Sequence, residues 1–178
     1  MKAHVIISHG LESSPDATKA TALSRVVEAM GWTSERPDYR DCDNDTAAGR
    51  LGDVHGRIMR LNNIAKKIQA PLLLAGSSMG AFISARVSLE VPVAGLFLMA
   101  PPTQLEGFDI KLEAADVPTC IVHGWDDELI PANEVVKWAQ ARRNQLLLVN
   151  DSHRLAEHVE FCAEVFSRFV RSLSLGLK

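Results

Sequence analysis

The chain has 178 residues, of which 47% are hydrophobic and 23% are charged, and this composition is typical of a globular protein and excludes disordered and fibrous classes. A formal net charge of −3 gives no electrostatic reason to expect a nucleic acid or an anionic membrane as a partner. The three cysteines are far apart and odd in number, which argues against a disulfide framework and for a reducing compartment. Because no apolar run suits a signal peptide or a membrane span, we expect a cytoplasmic protein.

Short apolar runs alternate with amphipathic segments of helical length along the chain. The runs predict strands at Ala3–Ser8, Leu72–Gly76, Gly95–Met99, Thr119–Val122 and Leu146–Asn150, with a weaker one at Trp32–Arg36. The amphipathic segments predict helices at Ala17–Met30, Thr46–Gln69, Met79–Leu89, Asn133–Ala141 and Leu155–Ser172. Most of the runs lack alternation, as expected of strands that helices cover on both faces. We therefore predict one α/β domain over residues 1–178, with a mostly parallel, doubly wound sheet of about six strands.

Two irregular segments, Pro37–Asp45 and Pro101–Val117, follow the ends of predicted strands. In an open α/β sheet this is the edge where ligands bind.

The predicted strand Leu72–Gly76 ends in the sequence Gly-Ser-Ser-Met-Gly, which matches G-x-S-x-G. In that motif a serine sits on a strained turn between strand and helix, and glycines are needed because side chains would collide with the neighbouring elements. Ser78 is therefore a candidate nucleophile, and the alternative interpretation is a tight turn that only needs glycine.

A serine hydroxyl becomes a good nucleophile when a base takes its proton and a carboxylate orients that base. Three adjacent acids, Asp126, Asp127 and Glu128, follow the strand Thr119–Val122, and their spacing does not choose among them. The strand Leu146–Asn150 leads into Asp151, which has the alternative role of capping the last helix.

His153 is the candidate base. It lies in a loop after the same strand, whereas His123 lies at a strand end and His158 falls in a predicted helix. The alternative interpretation of His153 is a solvated surface histidine. His153 and His158 are five residues apart and the cysteines have no ligand spacing, so we expect no metal.

Acyl transfer also needs N–H donors aimed at the developing oxyanion. The backbone N–H of Met79 follows Ser78 at a helix N-terminus, and the N–H of Leu11 follows the first strand, where Gly10 lets the backbone turn inward. His9 precedes the serine, so we interpret it as a structural hydrogen-bonding residue and not as the base.

Several motifs together resemble the α/β-hydrolase superfamily, and within it a group of small bacterial serine esterases. His9 to Pro15 match H-G-x-x-S-S-P, followed by a similar helix start at Lys19-Ala20-Thr21, and His123 to Pro131 match H-G-x-x-D-x-x-[VI]-P. The second match assigns the orienting carboxylate to Asp127, and His153 before Arg154-Leu155 is similar to the final histidine of these proteins. The chain departs from the superfamily in having about six strands instead of eight and no room for a helical lid.

The resemblance implies a serine hydrolase that cleaves carboxylic esters or thioesters of small acyl groups with Ser78, His153 and Asp127. Gly10, Trp125 and Pro101 are candidates for the substrate pocket. We expect no cofactor, no nucleic-acid or membrane partner, and a monomer or homodimer. The alternatives are an amidase or peptidase that uses the same three residues, and a catalytically silent protein-binding module on a hydrolase scaffold.

Overall fold

A parallel six-stranded sheet forms the centre of the computed structural model, which describes residues 2–174. Its strands are β1 (His4–Ser8), β2 (Thr33–Glu35), β3 (Leu72–Ser77), β4 (Gly95–Met99), β7 (Thr119–Gly124) and β8 (Gln145–Val149), and an antiparallel hairpin between β4 and β7 consists of β5 (Gln104–Leu105) and β6 (Phe108–Lys111). The order in the main sheet is β2–β1–β3–β4–β7–β8, and every neighbouring pair is parallel. The predicted parallel sheet of about six strands is confirmed.

Helices connect the parallel strands and cover both faces of the sheet. They are α1 (Thr18–Ala29), α2 (Arg40–Asp43), α3 (Val54–Ala65), α4 (Met79–Val87), α5 (Ala132–Arg142) and α6 (Val159–Ser174), with short 3₁₀ helices at Thr46–Ala48 and Ala156–His158. One apolar core lies between the sheet and α3, α4 and α5, and the other lies between the sheet and α1 and α6. Successive residues of β3 alternate between the cores, since Leu74 belongs to the first and Leu73 and Ala75 to the second. This explains why the strands are apolar throughout.

The predicted helix Thr46–Gln69 is wrong in its first part. A 3₁₀ turn and a loop occupy residues 46–53, and the α-helix begins at Val54, where the Asp53 side chain accepts a hydrogen bond from the Gly56 amide. Gly49 and Gly52 have φ values of +102° and +64°. A Cβ on Gly52 would lie 2.4 Å from the Cys42 carbonyl oxygen, so the loop folds against α2 instead of continuing as a helix.

The two segments predicted to be irregular contain short regular elements. Residues 37–45 include α2, and residues 101–117 include the β5–β6 hairpin, which turns at Gly107 with φ +75°. The predicted last helix begins instead with the 3₁₀ turn at Ala156–His158, because Leu155 has a left-handed backbone with φ +52°. These short helices and strands contain too few residues for a hydrophobic period to be recognised in the sequence.

The carboxyl ends of the strands lie at one edge of the sheet, where Ser8 is level with Gly76 and Ser77 with Met99. Ser78 and the loops after β1, β7 and β8 therefore meet at this edge. Within residues 2–174, no helix combines the length and the apolar character needed to cross a membrane.

Candidate active site

Ser78 stands on the turn between β3 and α4 with φ +53° and ψ −120°, a backbone conformation that is rare for residues other than glycine. Its amide donates to the Met99 carbonyl oxygen at 2.8 Å. A Cβ on Gly80 would lie 2.0 Å from the Ser8 carbonyl oxygen, and a Cβ on Gly76 would lie 2.3 Å from the backbone of Gly80. Both glycines are therefore required by close contact with neighbouring backbone, as the sequence motif predicted.

The structure brings Ser78, His153 and Asp127 together, and we call these residues the Ser–His–Asp trio. His153 Nε2 lies 2.9 Å from the Ser78 hydroxyl oxygen, and His153 Nδ1 lies 2.8 Å from Asp127 Oδ2. Asp127 lies in the loop after β7 and His153 in the loop after β8. Since an ionised carboxylate is an acceptor, Nδ1–H donates to Asp127, and Nε2 is then free to accept the proton of the serine.

The structure assigns different places to the other two acids. Glu128 Oε2 accepts a hydrogen bond from the His153 backbone amide at 3.1 Å. The Asp126 side chain is exposed, and its amide donates to the Asp151 carbonyl oxygen at 3.1 Å. Glu128 thus contacts the backbone of the histidine loop, and Asp127 is the only one of the three with a hydrogen bond to the imidazole.

Asp151 caps the segment that follows His153. Its Oδ1 accepts from the Ser152 amide at 2.7 Å, and its Oδ2 accepts from the Glu157 amide at 3.0 Å and from His158 Nδ1 at 2.9 Å. Asp151 therefore binds the 3₁₀ turn that precedes α6, and the capping of the last helix itself stays a prediction. These bonds fix both ends of the turn that carries His153.

Asp127 is held as a carboxylate. Its Oδ1 accepts from the amides of Leu129 at 2.9 Å and Ile130 at 2.8 Å. Burial raises the pKa of Asp127, but the hydrogen bond from His153 and the bonds from the Ile130 and Leu129 amides together bring that pKa below its ordinary value. Nε2 of the buried His123 donates to the Ile130 carbonyl oxygen at 3.0 Å and lies 3.5 Å from Asp127 Oδ2, and burial lowers the pKa of His123. Neutral His123 and charged Asp127 therefore coexist in this buried loop.

The loop after β1 lies against the serine. A Cβ on Gly10 would lie 3.5 Å from the Ser78 Cβ and 3.3 Å from the Ser77 carbonyl oxygen, so the space between the Gly10 backbone and the turn at Ser78 is about that of one methyl group. Leu11 follows and packs on the core formed with α3 and α4. Met79 is the first residue of α4, and its amide is one of those that have no acceptor within the helix.

His9 is a structural residue in this loop. Its Nδ1 donates to the Gly10 carbonyl oxygen at 2.8 Å, and its Nε2 accepts from the Tyr39 amide at 3.0 Å. Burial is the main cause that lowers the pKa of His9. Both ring nitrogens are thus used by the neutral form, in agreement with the hydrogen-bonding role expected from the sequence.

Arg57 and Asp43, which were not predicted from the sequence, form a buried ion pair behind the same loop. Arg57 Nε and Nη2 donate to the two carboxylate oxygens of Asp43, each at 2.6 Å. Arg57 Nη1 also donates to the His9 carbonyl oxygen at 3.0 Å, and Nη2 to that of Gly10 at 3.1 Å. One signal was present in the sequence, because Arg57 falls on the buried stripe of α3 that contains Val54, Leu61 and Ala65.

The remaining pocket candidates lie at the same edge of the sheet. Pro101 is buried after β4, whereas Trp125 follows β7 and is 58% exposed. A cleft of about 470 Å³ lies between residues 48–55 and the hairpin turn at 106–108. The cleft adjoins the N-terminus of α3. Because α3 leads into the parallel strand β3, this N-terminus lies at the carboxyl edge of the sheet, and so does the cleft.

Comparisons with known proteins support the architecture, although no protein-family model and no curated protein matches the chain. A structure from Xanthomonas campestris pv. campestris, named as a candidate hydrolase of the α/β superfamily, is 51% identical, with 96% of this chain and 99% of that chain covered and a TM-score of 0.94. The chain belongs to the α/β-hydrolase superfamily. The resemblance inferred from its motifs is confirmed.

Two further structures place this α/β hydrolase among similar folds. An α/β serine hydrolase homologue from Coxiella burnetii is 25% identical with a TM-score of 0.69, and the match covers 93% of this chain and 84% of that chain. Est1E from Butyrivibrio proteoclasticus is 17% identical with a TM-score of 0.76, and the match covers 98% and 89% of the two chains. The Est1E comparison shows a shared fold alone.

Proposed function

We propose that this α/β hydrolase is a serine hydrolase that cleaves carboxylic esters or thioesters of small acyl groups. Ser78 is the nucleophile, His153 the general base and acid, and Asp127 the residue that orients the imidazole. The amides of Met79 and Leu11 form the oxyanion hole. The observation that carries the proposal is the bridging position of His153, 2.9 Å from the Ser78 hydroxyl and 2.8 Å from Asp127.

The first half of the reaction transfers the acyl group to Ser78. The hydroxyl proton passes to His153 Nε2 as the serine oxygen bonds to the acyl carbon. The carbonyl oxygen gains negative charge and accepts hydrogen bonds from the amides of Met79 and Leu11. His153 is then an imidazolium, and the adjacent Asp127 carboxylate stabilises its positive charge. The bond to the leaving group breaks, and Nε2–H protonates the departing oxygen or sulfur.

The second half releases the acyl group by the same proton transfers. Water enters next to His153, gives a proton to Nε2, and attacks the acyl carbon. The new oxyanion uses the same two amides, and Ser78 leaves as its oxygen takes the proton back from Nε2. The products are a carboxylic acid and the regenerated enzyme, so the chain's own residues account for each proton transfer.

The segment between β4 and β7 supports a preference for small acyl groups. In place of a helical lid, it contains the β5–β6 hairpin and its turn at 106–108. Trp125, two residues before Asp127 in the loop after β7, is exposed and offers an apolar surface for part of the substrate.

Hydrolysis of a series of p-nitrophenyl esters, from acetate to longer acyl chains, with a matched thioester and a matched anilide, tests the proposal. We expect activity on the acetate and butyrate esters and on the thioester, declining with chain length, and loss of about 10³-fold or more of it in Ser78→Ala. Ser77→Ala is the matched control, because it removes the adjacent hydroxyl and leaves the trio intact. Anilide hydrolysis exceeding ester hydrolysis would favour an amidase, and equal activity of wild type and Ser78→Ala would exclude the proposed nucleophile.

A further inference from the structure

We propose that Arg57, held by Asp43, is a positioning residue that sets the direction of the oxyanion-hole amide of Leu11. This inference deepens the proposed function and rests on it. It starts from the two carbonyl groups that Arg57 binds, those of His9 and Gly10.

The carbonyl of Gly10 and the amide of Leu11 belong to one peptide unit. That peptide bond is trans, so its C=O and N–H point in opposite directions. The Gly10 carbonyl oxygen is fixed by two donors, Arg57 Nη2 at 3.1 Å and His9 Nδ1 at 2.8 Å. Holding this oxygen toward α3 turns the Leu11 N–H away from α3. The same reasoning applies to the preceding peptide, because Arg57 also binds the His9 carbonyl at 3.0 Å.

The position of Gly10 makes this direction matter for Ser78. A Cβ on Gly10 would be in van der Waals contact with the Ser78 Cβ, so the Gly10 backbone lies close to Ser78. Rotation of the next peptide unit therefore moves its N–H relative to the developing oxyanion. A donor of this kind contributes only when it points at the oxygen in the transition state. Arg57 therefore acts on the transition state through the backbone, without touching the substrate.

The guanidinium is itself held on every side. Asp43 binds it with two hydrogen bonds of 2.6 Å, and the Tyr39 ring lies 4.8 Å from its central carbon. The Tyr39 amide donates to His9 Nε2, and the Tyr39 hydroxyl is 3.1 Å from the Ser8 hydroxyl. The Arg57 side chain is completely buried, and that of Asp43 is 5% exposed. Burying an ion pair gives little net stability compared with apolar packing, and a planar fork fixed in this way is suited to hold two carbonyls in one orientation.

Arg57→Lys is the test, because lysine keeps the charge but lacks the planar fork. We expect kcat for p-nitrophenyl acetate to fall by about 10- to 100-fold, with KM changed by less than about threefold. The affinity for a trifluoromethyl ketone, which forms an oxyanion on addition of Ser78, should weaken by the same factor as kcat/KM. A residue that serves only the fold would not link these two losses.

Arg142→Lys is the matched control. The Arg142 guanidinium lies 5.1 Å from the Trp138 ring and donates to the Ala115 carbonyl oxygen at 2.6 Å, but it lies at the opposite edge of the sheet, at the end of α5. We expect its kcat and inhibitor affinity to stay within about twofold of wild type. If Arg57→Lys does not fold, Asp43→Asn is compared with wild type and Arg142→Lys instead. Asparagine has the shape of aspartate and keeps one of the two oxygens that accept from Arg57. We expect this variant to lose about 3- to 10-fold in kcat.

Three outcomes overturn the inference. A folded Arg57→Lys protein with the kcat of Arg142→Lys contradicts it, and so does a loss of kcat without weaker binding of the trifluoromethyl ketone. When Asp43→Asn is the deciding variant, wild-type values for both quantities contradict it. If the wild type itself hydrolyses neither the esters nor the thioester, it is the proposed function that fails. The three outcomes above require an active wild type, so they show a failure of this inference alone.

Discussion

Asp127→Asn should abolish nearly all activity by reversing one hydrogen bond. Asp127 Oδ1 accepts from two amides, those of Leu129 and Ile130, at 2.9 and 2.8 Å. In the variant, the asparagine oxygen must occupy this position, because an NH₂ group cannot accept hydrogen bonds. The NH₂ group then faces His153 Nδ1, which has to accept and therefore loses its proton. That tautomer carries its proton on Nε2, where it cannot take one from Ser78. Removing the base in this way costs about 10³- to 10⁴-fold in kcat, judged from an equivalent change in a serine protease.

The assay for this prediction is steady-state hydrolysis of p-nitrophenyl acetate near neutral pH, with thermal unfolding as the measure of the fold. Asp126→Asn is the matched control, because its side chain is exposed and has no bond to the imidazole, and it should remain within about twofold of wild type. A folded Asp127→Asn protein within about tenfold of the wild-type kcat would refute the tautomer argument.

Three further changes test the turn, the histidine loop and the pocket. Gly80→Ala should destabilise the fold by about 3 kcal/mol in urea unfolding, because the new Cβ would lie 2.0 Å from the Ser8 carbonyl oxygen. The control Gly107→Ala has open space around its Cβ but a φ of +75°, and it should cost only about 1 kcal/mol. Equal losses of unfolding free energy in the two variants would contradict the contact argument. Burial raises the pKa of Asp151, but its hydrogen bonds bring that pKa below the ordinary value of 3.8. The stabilisation by Asp151 is therefore present above that pH and is lost as the pH falls through the lower folded-state pKa. Asp151→Asn should flatten the decrease in melting temperature as the pH falls below about 4, and an unchanged slope would contradict this. Trp125→Ala should raise KM for p-nitrophenyl butyrate by about 3- to 10-fold and leave the melting temperature within about 2 °C, since the side chain is 58% exposed; an unchanged KM would remove Trp125 from the pocket.

Much of the fold was predictable because buried parallel strands have a simple signal. The apolar run beginning at Leu72 marks β3. Gly76 marks the tight contact of β3 with α4, and Gly80 marks the tight contact of α4 with the end of β1. The segment at residues 46–53 was predicted wrongly as helix, since its folding depends on glycine conformations and on contact with α2, which lie outside local periodicity. Short elements such as α2 and the β5–β6 hairpin are set by tertiary contacts for the same reason.

The Ser–His–Asp trio was predictable from the sequence, whereas the ion pair behind the loop after β1 was not. Ser78, Asp127 and His153 each lie just after a strand, so parallel topology alone brings their loops to one edge of the sheet. The Arg57–Asp43 pair was not predicted, because it joins α3 to the last residue of the short helix α2, 14 residues earlier in the chain, through a side-chain geometry that carries no sequence motif. An arginine on the buried stripe of an amphipathic helix is the general signal for such a pair.

Fluorophosphonate labelling followed by peptide mass spectrometry tests the central claim most directly. The reagent phosphonylates an activated serine, and its rate reports on the nucleophile without any assumption about the natural substrate. We predict one adduct, on Ser78, that is absent in Ser78→Ala and slowed by about 10³-fold or more in a folded His153→Ala protein. An unlabelled wild-type protein, or an adduct on another serine at the wild-type rate in Ser78→Ala, would contradict the account.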